Sequence, residues 1–338
     1  MGTKDTLLHG IGMRGTSTED DLDEDEVWRL CVRPPVEVDK RVAIALYKLA
    51  SCCEYRVVAN QFGVHKSTVK KYVYLLCQTL TTKFMMDFIR LPNVEEARQI
   101  AANFEGRCHI PQIWGAIDGT HIPILAPRKG YRDFVNRKHW PSFNMQAVVD
   151  DRGVFRSISC SVPGSAHDAT VLKLSGLYRH SDRLLPTDDC VVNGRPIPLM
   201  LVGDPAYPLL PWILKGYVAT KNGISQKDDS FNTYLSSARI VVEQAFGRMK
   251  GRWRIVLKRA DIDYKFVPTM AAAVCVLHNF CELHSERYNI GWNADVAEYE
   301  KIFPQPVSSP RDVDAEYPIR DFLRDYLGDN FPLRSSSY

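Results

Sequence analysis

The chain changes texture once. From Val36 to about residue 105 the apolar positions recur at helical spacing, with Val42, Leu46 and Leu49 in DKRVAIALYKLASCC. A short helix is predicted in YRVVANQF, then a turn at Gly63. A further helix is predicted in KSTVKKYVYLLCQTL, with Ser67 or a neighbouring polar group at its start. After about residue 110, β-branched and aromatic residues gather in shorter runs. QIWGAIDGTHIPIL predicts one straight or bent strand, and FNMQAVVD and VFRSISCSV predict a hairpin closed at Asp151-Arg152-Gly153. Gly164-Ser165-Ala166-His167-Asp168 opens a helix. LMLVGD, apolar up to its acid, predicts a buried central strand, YVATK a further short strand, and a long helix near 230–250 follows it. Three strands followed by alternating helices and strands predict an α/β sheet covered by helices.

These patterns divide the chain into an acidic tail at 1–30, expected to lack order, and a helical domain at 31–105. An α/β domain at 106–285 and a proline-interrupted, irregular or helical extension at 286–338 follow. The helical domain carries the spacing of a helix-turn-helix. Ala59 is small where helices would touch, Gly63 turns the chain and Val69 packs back. Lys66, Ser67, Thr68, Lys70 and Lys71 would face DNA. A three-helix bundle without DNA contact is the alternative.

The net charge of +3 says little, but its distribution is uneven. Eight acids crowd residues 1–30, and residues 239–259 hold seven bases against Glu243 alone. Such a basic stretch suits a polyanion, or a solvated helix face. Nine scattered cysteines fit free thiols in a reducing compartment better than a disulfide framework. No run is read as long enough to span a bilayer, so no membrane partner is expected.

Three acids carry the chemistry. Asp118 lies in GAIDGTHIPI, Asp204 ends the run LMLVGD, and Glu243 sits on the helix ARIVVEQAFGRMKGRW. On that helix Ala238, Val242, Ala245, Phe246, Met249 and Trp253 share one apolar side and Glu243 borders it. Carboxylates from two strands and a helix can hold two divalent ions that clamp the attacking and leaving oxygens of a phosphodiester. Each acid has a plainer alternative: a turn at Asp118-Gly119, a helix N-cap at Asp204, and an i, i+4 ion pair with Arg239 at Glu243. His121, three positions after Asp118, and the pair His167-Asp168 are accessory candidates. Cys275, His278, Cys281 and His284 spread around a helix and read as core packing, not a zinc site. In RKGYRDFVNRKHWPSFN, Arg128, Lys129, Arg137 and Lys138 alternate with aromatics. They would hold phosphate, unless the aromatics pack inward beneath a surface loop. Arg248, Lys250, Arg252 and Arg254 are the corresponding candidates after Glu243.

Together GAIDGTHIPI, NRKHWPSFNMQAVVD, VPGSAHDATVL, GDPAYPLLPWI, RIVVEQAFGRMKGRWRI and LHNF resemble the PIF/Harbinger transposases and the Harbinger-derived nucleases, over about Val38 to Leu283. That resemblance implies an RNase H-like mixed sheet flanked by helices. It makes Asp118, Asp204 and Glu243 a catalytic DDE triad for two Mg²⁺ or Mn²⁺ ions, with His167-Asp168 on the family's His-Asp pair. The implied activity is DNA cleavage at transposon ends, with strand transfer after it left open. A non-cutting DNA-binding or chromatin-associated adaptor is the alternative. The resemblance also implies a Myb/SANT-like DNA-binding partner. Its expected site of action is the nucleus, with import from the cytoplasm aided by that partner. A homo-oligomer is left open. Three features depart from the family pattern: Pro-Ala-Tyr after Asp204, Trp140-Pro141 in the basic loop, and the acidic lead-in.

Overall fold

The computed structural model describes residues 36–219, 223–307 and 317–335. The expected tail at 1–30 lies outside them. The chain forms two compact units, Met1–Arg41 and Val42–Tyr338. Of the first, residues 36–41 are described and include the first turn of helix α1 (Val38–Ser51). Everything below belongs to the second unit, and the expected boundaries at 105/106 and 285/286 fall inside it.

The helical segment follows the sequence pattern. Helix α2 (Tyr55–Phe62) ends at Gly63, whose φ of +62° is a left-handed cap that glycine adopts without steric cost. Helix α3 (Lys66–Thr79) starts after His65, whose ring Nδ1 accepts the Ser67 N–H at 3.3 Å, so the cap is His65. Ala59 and Val69 are buried where the helices meet. Lys48, fully buried, ties this segment to the rest of the unit by donating to Asp261 Oδ1 at 2.6 Å. Tyr74 stacks on Phe266 at 3.9 Å. A π-turn at Leu80–Phe84 and the short α4 (Met85–Phe88) lead to α5 (Val94–Cys108), which opens with a capping box between Asn93 and Glu96. Helix α5 packs on the first strand, so it belongs to the sheet layer.

The sheet is built from β1 (Ile113–Pro123), β2 (Ser142–Val149), β3 (Phe155–Pro163), and later β6 (Met200–Gly203) and β7 (Ile213–Leu214). Its order is β3-β2-β1-β6-β7. The first three strands form an antiparallel meander, and β6 and β7 add in parallel to β1. This is the mixed α/β sheet expected of an RNase H-like fold. The short helices α6 (Tyr131–Phe134), α7 (Asp168–Leu174), α8 (Gly176–Arg179) and α9 (Ser181–Leu184) fill the connections. A hairpin of β4 (Asp189–Val192) and β5 (Arg195–Pro198) turns at Asn193-Gly194 with φ of +46° and +78°. The sequence pattern did not reveal this hairpin. The expected YVATK strand is absent from its described residues, 217–219, and the strand that pairs with β6 is instead β7 at Ile213–Leu214.

Two long helices cover the sheet. Helix α10 (Gln226–Arg252) lies over β1, β2 and β6, with Ala238, Val242, Ala245, Phe246 and Met249 buried as its periodicity predicted. Helix α11 (Val267–Leu283) packs on β3 and on α3. Residues 264–283 are long and apolar enough to cross a membrane, contrary to the sequence reading. That helix is over half buried inside the unit. His278 donates from Nε2 to Gly153 O at 2.9 Å, and Cys275 lies fully buried, as expected of core packing. Helices α12 (Trp292–Ile302) and α13 (Pro318–Asn330) pack against α10. The eight described cysteines are free thiols.

Candidate active-site cleft

The register of two strands brings the first two acids together. Ile117 of β1 pairs with Gly203 of β6 in parallel. Asp118 and Asp204 each follow that pair, so they stand side by side, Asp118 within β1 and Asp204 just past the carboxyl end of β6, about one 4.8 Å strand spacing apart. The carboxyl end of a strand such as β6 is where α/β sheets present ligand-binding groups. Helix α10 crosses the same strands and brings in Glu243. All three acids line one cleft of about 860 Å³, together with His121, Asp168, Arg239, Lys250 and Gln305.

The cleft is electrostatically tense. Asp118 has an 18% exposed side chain, and burial pushes its carboxyl up to about 7. Arg239 pulls it down in part, while Asp204 and Asp168 push it further up. Asp204 is 8% exposed, and its Oδ1 accepts the Ala206 N–H at 3.0 Å, so it also shapes its own turn. Asp168 reaches the cleft because Gly119 has no Cβ. A methyl there would lie 2.8 Å from Asp168 Oδ1 and 3.1 Å from Asn144 Oδ1. Asn144 Nδ2 donates to Asp168 Oδ1 at 2.8 Å, whereas its own Oδ1 is buried without a partner. Tyr207, fully buried, accepts from Gln146 Nε2 at 2.9 Å. Burial first, then Asp118, Asp168 and Asp204, hold its phenol well above the usual range. Lys250 is 3% exposed and pairs with Glu300 at 3.5 Å. Burial lowers its ammonium, with Glu300 and then Asp118 opposing.

Carboxylates are oxygen donors, which suit hard cations such as Mg²⁺ or Mn²⁺. Asp118, Asp204 and Asp168 supply oxygens of that kind to the cleft. Glu243 differs: its side chain is 59% exposed and accepts from Arg239 Nη2 at 3.3 Å. The same Nη2 donates to Asp118 Oδ2 at 3.4 Å. A guanidinium thus lies where the third carboxylate would close the group. The helix ion pair and the shared cleft are both present. Among the described residues, no three His, Cys, Asp or Glu side chains stand ready to hold an ion.

The other candidates separate. His121 is buried and its Nδ1 lies 2.9 Å from Ser142 Oγ. Burial first, with Lys250 and Arg137 adding and Asp168 opposing, lowers its imidazole to about 4. His167 is exposed, stands at the N-cap position of α7 without a side-chain capping bond, and touches Arg137. In the loop after β1, Arg128, Lys129, Arg137 and Lys138 face solvent, while Trp140 and Phe134 pack inward on Phe303 and Phe143. Lys66, Ser67, Lys70 and Lys71 are exposed on α3, and Thr68 is half-buried.

The basic stretch after Glu243 differs from expectation. Arg248 forks onto Glu282 at 2.7 and 2.9 Å, Lys250 meets Glu300, and Arg254 meets Asp295 at 2.5 Å. Arg252 donates to Glu286 O at 3.2 Å and lies over the Trp292 ring. These bases fasten α11, α12 and the chain between them to α10. One contributor distant in sequence escaped the sequence pattern. Gln305 accepts from His121 N at 2.8 Å and Thr120 Oγ1 at 3.2 Å, and so covers the open edge of β1 beyond the end of β6. Nothing in the local pattern around Gln305 signals this.

Residues 117–279 match the family described as DDE superfamily endonuclease, a span containing all three acids. The chain is 30% identical over 256 residues to Protein ALP1-like of Arabidopsis thaliana, covering 72% of this chain and 61% of that one. It is also 30% identical over 252 residues to the Arabidopsis protein named Antagonist of like heterochromatin protein 1, covering 72% and 62%. To the Rattus norvegicus protein named "Putative nuclease HARBI1" it is 26% identical over 232 residues, covering 67% and 62%. The chain spans about three fifths of the length of these curated relatives. No solved structure matches it significantly.

Proposed function

The chain belongs to the Harbinger-type DDE superfamily, and from that premise we propose that it is a metal-dependent DNA endonuclease or transposase. Asp118, Asp204 and Glu243 would hold two Mg²⁺ or Mn²⁺ ions, with Asp168 beside them. One observation carries the reading: carboxylates from two neighbouring strands and a helix line a single cleft in which burial and like charge already disfavour Asp118 as an anion. Buried acids crowded this way in a cleft are arranged for a ligand rather than for stability.

When bound, the ions would supply Lewis acidity, activating the attacking hydroxyl and stabilising the leaving oxygen of the phosphodiester. The chain's own residues set the geometry. Asp118 and Asp204 are fixed by strand register, and the bare Gly119 leaves room for Asp168 beside them. Asn144 and Gln146 orient Asp168 and Tyr207. The exposed bases of the loop after β1 would position the phosphate backbone without choosing sequence. Base choice would fall to Ser67, Thr68 and Lys71 on α3, or to a Myb/SANT-like partner. The nucleus, reached from the cytoplasm with that partner's help, is the proposed site of action.

A second reading is favoured by the Arg239 bridge, which keeps Glu243 out of a ready-made ion site. It makes the chain a non-cutting DNA-binding or chromatin-associated adaptor, a role in keeping with the name of the Arabidopsis relative, Antagonist of like heterochromatin protein 1. The test is incubation of the purified chain with labelled duplex carrying candidate terminal repeats, with Mg²⁺, Mn²⁺ or EDTA, with and without a Myb-like partner. Ion-dependent cleavage supports the nuclease. Binding without cleavage under every condition supports the adaptor.

A further inference from the structure

Taking Asp118 and Glu243 as ligands, as above, we propose that Arg239 is the cation that holds this cleft together in its metal-free form, and that it must withdraw when divalent ions enter.

A single nitrogen makes both contacts. Arg239 Nη2 donates to Asp118 Oδ2 at 3.4 Å and to Glu243 Oε1 at 3.3 Å. It links the strand that carries one acid to the helix that carries the other. Arg239 and Glu243 share a helix at i, i+4, so that pair forms on the helix surface without any help from the sheet. The contact to Asp118 is the long-range one, spanning 121 positions of sequence. Both contacts are long for charge-assisted hydrogen bonds, which usually fall near about 2.7–2.9 Å. The guanidinium therefore sits between the two carboxylates and is optimised for neither. Its Nε is buried without a partner. That is the pattern of a group held by charge, not by fitted geometry.

An arginine cannot make way by losing its proton. Ions bound by Asp118 and Glu243 together would meet its charge directly, so it must move. It has somewhere to go. The side chain is 18% exposed and lines the open cleft of about 860 Å³. Ion binding then carries the cost of breaking the bridge, and the bridge stabilises only the metal-free form. Linkage makes the two effects reciprocal.

The experiment is isothermal titration of Mn²⁺ into wild type and Arg239→Gln in the absence of DNA, with thermal unfolding of both proteins with and without Mn²⁺. Glutamine keeps a polar side chain and removes the charge. The expected result is Mn²⁺ binding at least about fivefold tighter in Arg239→Gln, the lower end of ordinary coupling between sites. Its melting temperature should fall below wild type without metal, and the gap should close at saturating Mn²⁺. A folded Arg239→Gln that binds Mn²⁺ no more tightly than wild type overturns the proposal. If neither protein binds Mn²⁺, the ligand reading of Asp118 and Glu243 fails with it. Should the glutamine variant not fold, Arg239→Met takes its place. Methionine keeps an unbranched side chain and removes the charge, so tighter Mn²⁺ binding is again expected, and unchanged affinity again overturns the proposal.

Discussion

Two buried polar clusters lie against the same sheet, and they are built on opposite principles. Around β3, Asn279 donates to Phe88 O at 2.7 Å and Phe155 O at 2.8 Å, and accepts from Phe155 N at 2.8 Å. Its amide acts as a strand partner on the open edge of β3, and His278 beside it donates to Gly153 O. Of this pair, only His278 Nδ1 is buried without a partner. Beside β1 and the end of β6, by contrast, Asp204 and Asp168 raise the cost of charge on Asp118. Asn144 Oδ1 and Arg239 Nε lack partners. The first cluster is near its electrostatic minimum and reads as structure. The second is left unbalanced, which a fold tolerates where a ligand completes it.

Substitution should separate the two most sharply at Asp118. Asp118→Asn is expected to abolish ion-dependent cleavage, a larger loss than the roughly 10–100-fold typical of residues that only support a metal ligand. The same change should stabilise the metal-free protein at pH 8. The sign follows from a folded pKa of about 7 against an ordinary value of 3.8. Between those values the folded state keeps a proton that the unfolded chain has released, so stability falls as pH rises through that window and stays reduced above it. Removing the charge recovers on the order of 1–4 kcal/mol above pH 7 and nothing below pH 3.8. Urea unfolding at pH 8 and pH 3.5 measures this. A variant that cuts normally, or is less stable at pH 8, breaks the contrast.

Asn279→Ala should do the reverse. It strands two carbonyls and one N–H at a buried edge, for a loss of about 3–5 kcal/mol. Any effect on cleavage should follow the unfolded fraction alone. Denaturant midpoints, compared with activity measured well below the unfolding transition, provide the check.

Much of this contrast was legible in the sequence, and the reasons differ by element. The buried face of α10 could be read because period 3.6 puts Ala238, Val242, Ala245, Phe246 and Met249 on one side whatever they meet. LMLVGD could be read because a run that apolar is buried on both faces. The β4–β5 hairpin carried an Asn-Gly signal, yet its strands are four residues each and only Ile197 among them is buried, so no hydrophobic alternation marked them. The fate of the bases after Glu243 was not legible. Their partners Glu282, Asp295 and Glu300 lie tens of positions away along other helices, and only folding brings them together. Gln305 escaped for the same reason.

The buried histidine of the β3 cluster should make the protein acid-sensitive. Burial lowers His278 from 6.5 to about 4, with Gly153 O opposing. The unfolded chain takes up its proton first, so stability is complete above about pH 6.5 and falls as pH drops toward 4. The loss from this group approaches about 3 kcal/mol. His278→Gln keeps a nitrogen donor for Gly153 O and removes the titration. Its stability should change less between pH 7 and pH 4.5 than that of wild type. An unchanged pH dependence would remove His278 from the account.

The smallest expected effects compare two basic segments that look alike in sequence. Arg128 and Lys129 are exposed on the loop after β1, whereas Arg252 and Arg254 are engaged by α12 and the chain before it. Phosphate contacts release counterions, so each one lost should make the salt dependence of duplex binding shallower by about 0.9. Replacing Arg128 and Lys129 together by Ala should therefore flatten the slope, equally for specific and random duplexes. Arg254→Ala should leave the slope unchanged, because Asp295 already neutralises that guanidinium, and should instead loosen α12 on α10. Binding measured across salt for both duplexes, with hydrogen exchange on α12, tests the pair. A flattened slope in Arg254→Ala with α12 undisturbed would mean that the bases after Glu243 leave their internal acceptors to meet DNA.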